Sequence, residues 1–345
     1  MKIQLRHNYE DIISLENLCL AWQEFIVGKK QRKDVQFFSR NLMDNILSLH
    51  EDLVNMSYRH GGYESFFVND PKRRHIHKAG VCDRLLHHAI YRILYPFFDK
   101  IFINDSFSCR LGKGTHRAVN RLQALFYHVS KNNTRTCWVL KCDIRKFFDS
   151  IDHGALLSIL KGYIPDKDII LLLENIVESY RTVKHPLLPP PQNAGDHERA
   201  GLPLGNLTSQ LFANVYMNAF DQWVKHKLKA SHYVRYADDF VFLSPDEQYL
   251  KEVLLKVKTF LTEKLKLDLH PDKIFLKSFS SGIDFLGWVN FPTHRVLRKN
   301  TERRMFLRTG EDLKPEALQS YFGLFKHGNT YKIKEKLLME YWVVG

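Results

Sequence analysis

Long apolar runs are missing from this chain of 345 residues. No stretch approaches the roughly 18 consecutive apolar residues that a membrane-spanning helix needs. The opening, Met1-Lys-Ile-Gln-Leu-Arg-His-Asn8, lacks the apolar core of a secretory leader. Cysteine is scarce, with Cys19, Cys82, Cys109, Cys137 and Cys142 the only five and no Cys-x-x-Cys among them. An odd, scattered set excludes a disulfide framework and a zinc ribbon. It points to small core residues in a reducing cytosol. Histidine is plentiful at 17, yet no four are spaced as zinc ligands. His87 and His88 are adjacent on a helical stretch and cannot face one ion. Acidic residues are outnumbered, 38 Asp and Glu against 51 Lys and Arg, leaving a formal charge of +13. Such a surplus favours a polyanionic partner, nucleic acid first and an anionic membrane second.

What is present is an alternation of helical and extended patterns. Leu15 to Leu53 has helical periodicity, interrupted by the basic patch Gly28-Lys-Lys-Gln-Arg-Lys33. Ser65 to Val68 reads as a strand, Asn69-Asp-Pro71 as a turn, and Lys72-Arg-Arg-His-Ile76 as a basic second arm. A helix from Cys82 to Phe98, ended in the region of Pro96, follows. Trp138 to Ile144 is a strand, and helices cover the region through Leu160 and Asp168 to Tyr180. The proline-rich segment from His185 to Ala200 can be neither regular helix nor central strand. Helix resumes from Leu207 to about Leu228, with Thr208 or Ser209 as its cap. A hairpin at Tyr233, a helix from Asp246 to Leu265 and short strands near Ile274 and from Ile283 to Val289 complete the pattern. The tail from Arg295 to Arg308 carries six Lys or Arg and one Glu, and a last helical stretch ends near Glu340.

The hairpin Tyr233-Val-Arg-Tyr-Ala-Asp-Asp-Phe-Val-Phe-Leu243 places Asp238 and Asp239 side by side at its tip. Two neighbouring carboxylates repel and resist desolvation, and a divalent cation is the commonest offset. By itself the pair reads equally as an exposed acidic turn. Asp143 supplies a third carboxylate at the end of an apolar strand, where it either caps the next helix or joins the pair. Three carboxylates on neighbouring strands could hold two Mg²⁺ roughly 4 Å apart. Between them, Gly201-Leu-Pro-Leu-Gly-Asn-Leu-Thr-Ser-Gln210 forms a sharp turn before a helix. It is either an ordinary junction or a surface that supports a base pair.

These pieces, in this order, resemble the reverse transcriptases. Asp143-Ile-Arg-Lys-Phe-Phe-Asp-Ser-Ile-Asp-His153 is similar to the family's first catalytic motif, and Tyr236-Ala-Asp-Asp239 to its second. The Gly201 block lies between them. Upstream, Asp70-Pro-Lys-Arg-Arg74 and Ser106 to His116 look like fingers motifs. Downstream, Leu267 to Lys273 and Gly282 to Trp288 look like the lysine-bearing motif and the primer grip. The resemblance implies an α+β right-hand fold of fingers, palm and small thumb, with an antiparallel palm sheet packed on helices. Its expected divisions are residues 1–134 for N-terminal helices and fingers, 135–160 for the first part of the palm, and 161–200 for helices and the proline-rich insertion. Residues 201–292 would form the rest of the palm with the primer grip, and 293–345 a short basic thumb.

The resemblance also implies an RNA-directed DNA polymerase. Asp143 and Asp238 would bind two Mg²⁺, with Mn²⁺ able to substitute, helped by Asp239 and the Ile144 carbonyl. Lys72, Arg74 and Arg110 would clamp the incoming dNTP, with Arg73 an alternative to Arg74. Leu204 and Gln210 belong to the same nucleotide site. Phe148 would exclude a ribose 2′-OH, leaving Phe147 in the core; with the strand register read one residue off, the two swap. Lys273 is either a proton donor to pyrophosphate or an exposed turn lysine. Phe285, Leu286 and Gly287 would hold the primer end or pack the palm. Arg295, Arg298, Lys299, Arg303 and Arg304 would track phosphates of template RNA and the RNA/DNA duplex. A thumb of only about 50 residues implies a small accessory protein or an oligomeric assembly, and no membrane association.

Leu204 stands where many members have Gln, and Gln210 where many have Pro. That form, with Gly112-Lys-Gly-Thr-His116 and Pro292 to Arg298, is similar to the enzymes of diversity-generating retroelements, which copy a template RNA with errors opposite adenine. The proline-rich insertion departs from their compact form. It leaves as alternatives a reverse transcriptase of an antiviral defence system or retron using a dedicated non-coding RNA, and a silent RNA-binding protein on the same scaffold. Phe148 argues against an RNA polymerase that makes RNA.

Overall fold

The computed structural model describes residues 3–69, 73–180, 200–309 and 315–344. From the N-terminus come helices α1 (Tyr9–Ile13), α2 (Leu15–Phe25), α3 (Lys33–Arg40) and α4 (Leu42–Val54), strands β1 (Tyr63–Val68) and β2 (Arg74–Ala79), and helix α5 (Val81–Ile101). Next are α6 (Thr115–Val129), β3 (Trp138–Asp143), α7 (Phe147–Ser150), α8 (His153–Lys161), α9 (Lys167–Glu178) and α10 (Leu207–His226). Then follow β4 (Tyr233–Tyr236), β5 (Asp239–Ser244), α11 (Glu247–Leu265), β6 (Phe275–Ser278), β7 (Ile283–Phe285), β8 (Trp288–Asn290) and β9 (Arg295–Leu297). Helices α12 (Lys299–Thr309), α13 (Pro315–Phe325) and α14 (Tyr331–Val344) end the chain. The chain divides into two compact units. One comprises Met1–Ile103, Ile144–Lys229 and Lys258–Asp268; the other comprises Asn104–Asp143, Ala230–Val257 and Leu269–Gly345.

The first unit is built on helices. In α2, Leu18, Ala21, Trp22 and Phe25 fall on one buried stripe, and Ser14 caps the start. That stripe packs on α5, α5 on α10, α10 on α8 and α8 on α9. Asp152 and Asp166 cap α8 and α9. Pro96 does not end α5, as the sequence suggests, but lies inside it. The helix bond lost to the missing amide is offset by burial of Leu94, Tyr95 and Phe98. The far end is held by Gln222, whose Nε2 donates to the Ile101 carbonyl.

Strands β1 and β2 pair antiparallel, with Phe66 opposite Ile76 and Val68 opposite Arg74. Neither Thr208 nor Ser209 caps α10. The cap position is Asn206, whose side chain makes no bond to the helix. It serves β2 instead, donating to the His77 carbonyl at 3.0 Å and accepting from the Ala79 amide. Thr208 is buried, and its hydroxyl meets His87 Nδ1 at 2.6 Å, the partner a buried hydroxyl requires. The other nitrogen of His87 meets His60 Nε2 at 3.1 Å. His88 instead packs edge-on to Phe25, so the two histidines face apart.

The second unit carries a four-stranded antiparallel sheet in the order β4-β5-β3-β6. Helix α6 packs on β4 and β5. The shared core includes Leu122 and Phe126 of α6, Val139 of β3, Val241 and Leu243 of β5, and Phe279, Phe285 and Trp288. Strands β7, β8 and β9 form a second antiparallel sheet. The expected α+β class, with an antiparallel sheet backed by helix, is what the chain adopts. Asp143 caps no helix, because α7 starts only after Lys146, a left-handed residue without a capping bond. The basic tail is β9 followed by α12. Lys72 and the proline-rich segment up to residue 199 lie outside the described residues.

Two residues, Ala237 and Asp238, join β4 to β5. Ala237 has φ 54°, a conformation that disfavours any residue with a Cβ. Arg235, wholly buried, holds it from below. Its Nη1 donates to the Ala237 carbonyl at 3.0 Å and its Nη2 to the Ser106 hydroxyl at 3.0 Å. Its backbone bonds Asp105 and Phe107. Arg235→Met keeps the apolar stem but strands these acceptors. It should cost about 2–4 kcal/mol, measured by chemical denaturation; a cost below about 1 kcal/mol would show the turn holds without it.

Candidate functional site

Each carboxylate is placed by strand geometry. In the β3–β5 register Asp143 lies directly opposite Asp239, and in the β4–β5 register Tyr236 does. Opposed residues on antiparallel strands point to the same face. Asp143 and Asp239 are thus neighbours because a six-residue pairing between β3 and β5 ends on them. Asp238 occupies the two-residue turn beside them.

Two lysines pair with two of these carboxylates. Lys273, in the 3₁₀ turn Pro271–Lys273, places Nζ 2.6 Å from Asp143 Oδ1. The backbone reinforces it, since the His270 amide donates to the Asp143 carbonyl at 2.8 Å. Lys141 places Nζ 3.1 Å from Asp239 Oδ2. Lys141 escaped the sequence reading. Its signal was a lone lysine two residues before Asp143 in an apolar strand, hence on the same face.

Asp239 is only 17% exposed along its side chain. Burial pushes its carboxyl up to about 7, Lys141 pulls it back down, and Asp143 and Asp238 add to the rise. Its Oδ1 is buried, with no hydrogen-bond partner among the described residues. A buried carboxylate oxygen left over among like charges suits a hard divalent cation, whose preferred donors are carboxylate oxygens. Among the described residues no three acidic, His or Cys side chains already converge on one point.

The remaining candidates divide between the two units. In the second unit, Arg110 is half-buried and donates to the Ser106 carbonyl at 3.0 Å. Phe285 is fully buried in the core. Leu286 and Gly287 form the β7–β8 turn, with φ 52° and 87°; two positive values are what a tight two-residue hairpin demands. Arg298 pairs with Asp284 at 3.0 Å and its amide bonds the Gly287 carbonyl. Arg295 donates to Asn120. Lys299 and Arg303 are exposed, and Arg304 bonds the Asn300 carbonyl.

In the first unit, Phe147 is buried and Phe148 half-buried. The Phe148 carbonyl accepts from the Leu202 amide. The Leu204 carbonyl accepts from the His77 amide at 2.8 Å, which docks the Gly201 turn on β2. Gly205, at φ +117°, is required there, because a Cβ would sit 2.9 Å from Ile76 Cγ2. Arg73 stacks over Phe67 at 4.0 Å, whereas Arg74 shares the other face of the hairpin with Phe66, Ile76 and Lys78. That face borders a cavity of about 350 Å³ lined also by Lys29, Arg32, Arg84 and Gln210. Asp34 binds Lys78 and Arg84. Burial first, then Arg32 and Arg84, lower the Lys29 ammonium from its ordinary range, a mark of crowded positive charge.

A model of the family described as reverse transcriptase (RNA-dependent DNA polymerase) matches residues 69–289, more than half of the chain. Protein YkfC of Escherichia coli (strain K12) is 24% identical over 253 residues, covering 64% of this chain and 62% of that protein. Group II intron-encoded protein LtrA of Lactococcus lactis subsp. cremoris is 24% identical over 302 residues, with coverages of 68% and 47%. A putative COX1/OXI3 intron 2 protein of Saccharomyces cerevisiae is 21% identical over 284 residues, with coverages of 66% and 30%. The chain thus spans less than two thirds of the length of these relatives. Among solved structures, apo telomerase from Candida Tropicalis, truncated from its C-terminal domain, shares 14% identity at a TM-score of 0.49, covering 74% of this chain and 60% of that one. With the family's motif order met by a sheet that sets Asp143 against Asp239 beside Asp238, the chain belongs to the reverse transcriptase family.

Proposed function

We propose that this chain is an RNA-directed DNA polymerase that makes complementary DNA on an RNA template, using two Mg²⁺ with Mn²⁺ as a substitute. The observation that carries the reading is the opposition of Asp143 and Asp239 across β3 and β5, with Asp238 in the adjoining turn. When bound, two such ions would supply activation of the attacking primer hydroxyl and charge neutralisation at the leaving pyrophosphate. Asp143 and Asp238 would hold them, with Asp239 and the Ile144 carbonyl in support.

Lys273, whose ammonium reaches Asp143, would donate a proton to the leaving group. Arg74, Arg110 and Lys72 match planar or point cations to triphosphate oxygens. Phe148, with Phe147 fixed in the core behind it, would crowd a 2′-OH. The partners are template RNA, dNTPs and the RNA/DNA duplex, with Phe285, Leu286, Gly287 and the cations from Arg295 to Arg304 on the duplex side. Residues 293–345 would act as the short thumb, aided by an accessory protein or a second copy.

The basic cavity in the first unit supports single-stranded RNA as the template. It combines Lys29, Arg32, Lys78 and Arg84 with the exposed ring of Phe66, the pairing of phosphate cation and stacking platform that such strands use. Within this reading we place the chain with the diversity-generating retroelements, on the strength of Leu204. An aliphatic side chain removes a hydrogen-bonding constraint that a Gln would impose on the nascent pair. A second reading, left by the proline-rich segment of the sequence from His185 to Ala200, is a reverse transcriptase of an antiviral defence system or retron whose template is a dedicated non-coding RNA. Sequencing the RNA that copurifies with the chain separates the two: a variable-gene template repeat supports the first, a single structured RNA the second.

Three outcomes follow. Asp238→Asn should reduce primer extension with dNTPs and Mg²⁺ by about a hundredfold or more; near-normal extension would overturn the metal assignment. Leu204→Gln should lower misincorporation opposite template adenine about three- to tenfold, the scale of one hydrogen bond; unchanged errors would remove the fidelity role. Lys29→Gln with Arg32→Gln should weaken single-stranded RNA binding and flatten its logarithmic salt slope by about 1.4, roughly 0.7 per lost phosphate contact. An unchanged slope in filter-binding titrations would take the cavity out of the template path.

A further inference from the structure

We infer that Lys141 is a positioning residue of the polymerase centre. It ties the Asp239 carboxylate to the β7–β8 hairpin. The inference rests on the polymerase reading above and adds to it a residue that no motif supplies.

Strand β3 is otherwise apolar at Trp138, Val139, Leu140 and Cys142. Lys141 alternates onto the face of Val139 and Asp143, and Val139 on that face belongs to the core shared with α6, Val241 and Phe285. A lysine placed there must either snorkel to water or find a buried partner. It finds partners: its side chain is 16% exposed, and its Nζ sits 3.1 Å from Asp239 Oδ2. The same Nζ donates to the Asp284 carbonyl at 2.8 Å. The ring of Phe285 lies 5.9 Å away. One ammonium with three donors thereby joins β5 to β7, two strands that share no ladder.

The connection continues outward. Asp284, whose carbonyl Lys141 grips, binds Arg298 through its carboxylate. The Arg298 amide in turn bonds Gly287, the second residue of the β7–β8 turn. A line of charge runs from Asp239 through Lys141 and Asp284 to Arg298, at the start of the exposed basic tail. Lys141 sets where the hairpin stands relative to the carboxylates. It also orients Asp239, whose other oxygen has no partner of its own among the described residues. A purely space-filling lysine would need neither contact, and a methionine would fill the same volume.

The test uses the full chain, with primer extension and thermal denaturation measured on Lys141→Met, Asp239→Asn and the double variant. Lys141→Met should lower the kcat of primer extension at least about tenfold, with the KM for dNTP moving less than about threefold, because positioning is felt in the transition state. Val139→Ala, on the same face, should lower the Tm while leaving kcat within about threefold, the signature of a merely structural change. The Tm lost to Lys141→Met should shrink by more than about half in the Asp239→Asn background, where no carboxylate is left unpaired. Unchanged kcat in Lys141→Met, or equal Tm losses in both backgrounds, would overturn the inference. The thermal cycle needs no catalysis, so a chain that never extends a primer condemns the polymerase reading, whereas equal Tm losses condemn the Lys141 coupling.

Discussion

Carboxylate repulsion in a poorly solvated place is the constraint around which the second unit is organised. The β3–β5 ladder forces Asp143 and Asp239 to face each other, and the tight turn adds Asp238 beside them. At a separation of a few ångströms, like charges cost several kcal/mol unless something positive stands close. The fold meets that demand from two directions. Lys273 arrives from a loop beyond α11, and Lys141 from within the strand itself. Each approach recruits further structure: the His270 amide fixes the Asp143 carbonyl, and the Asp284 carbonyl fixes Lys141. The geometry of the acidic group is therefore a property of three strands, a 3₁₀ turn and a hairpin acting together.

The same reasoning explains which parts were legible in the residues. Asp238 and Asp239 at a hairpin tip, Asp143 at a strand end and the helices of the first unit all announce themselves by local periodicity. The division between Phe147 inside and Phe148 half outside agrees with what the family resemblance implies, which periodicity alone left open. Features set by tertiary partners were hidden. Pro96 continues a helix because neighbours bury both of its flanks, and burial overrides a local breaker. Thr208 and Ser209 look like caps, but Thr208 is claimed by His87 and Asn206 is drawn away to β2. Lys141 looks like a surface residue on a strand until Asp239 and Asp284 are seen to enclose it. In each case the deciding partner lies tens of residues or more away in sequence, where no local pattern records it.

Charge is distributed to match this chemistry. The surplus of thirteen positive charges is not spread evenly around the acidic group. Lys29, Arg32, Lys78 and Arg84 line one cavity in the first unit, with Asp34 tempering two of them. Arg298, between β9 and α12, and Lys299 and Arg303, on α12, stand exposed in the second. Near the carboxylates, by contrast, single cations meet single anions, Lys273 on Asp143 and Lys141 on Asp239. Long-range attraction for a polyanion and short-range neutralisation of a reactive site are different tasks, and different lysines and arginines perform them.

Among the described residues, three of the non-glycine positions with positive φ fall in the same places. Lys146, Ala237 and Leu286 all have positive φ, at 46°, 54° and 52°. Each is a non-glycine residue in a region that costs of order 1 kcal/mol. They occupy the segment after Asp143, the turn before Asp238 and the turn after Phe285. Such conformations persist only where surroundings over-determine them. For Ala237 the surroundings are the two hydrogen bonds of buried Arg235. For Leu286 they are its contact with the core and the Arg298 amide on the next carbonyl. Asn or Gly would relieve the torsion at either turn, yet the chain keeps Ala and Leu there and supplies the restraint from elsewhere. Two turns near mutually repelling groups are thus each tied by an arginine, Ala237 by Arg235 two residues before it and Gly287 by the Arg298 amide beyond β9.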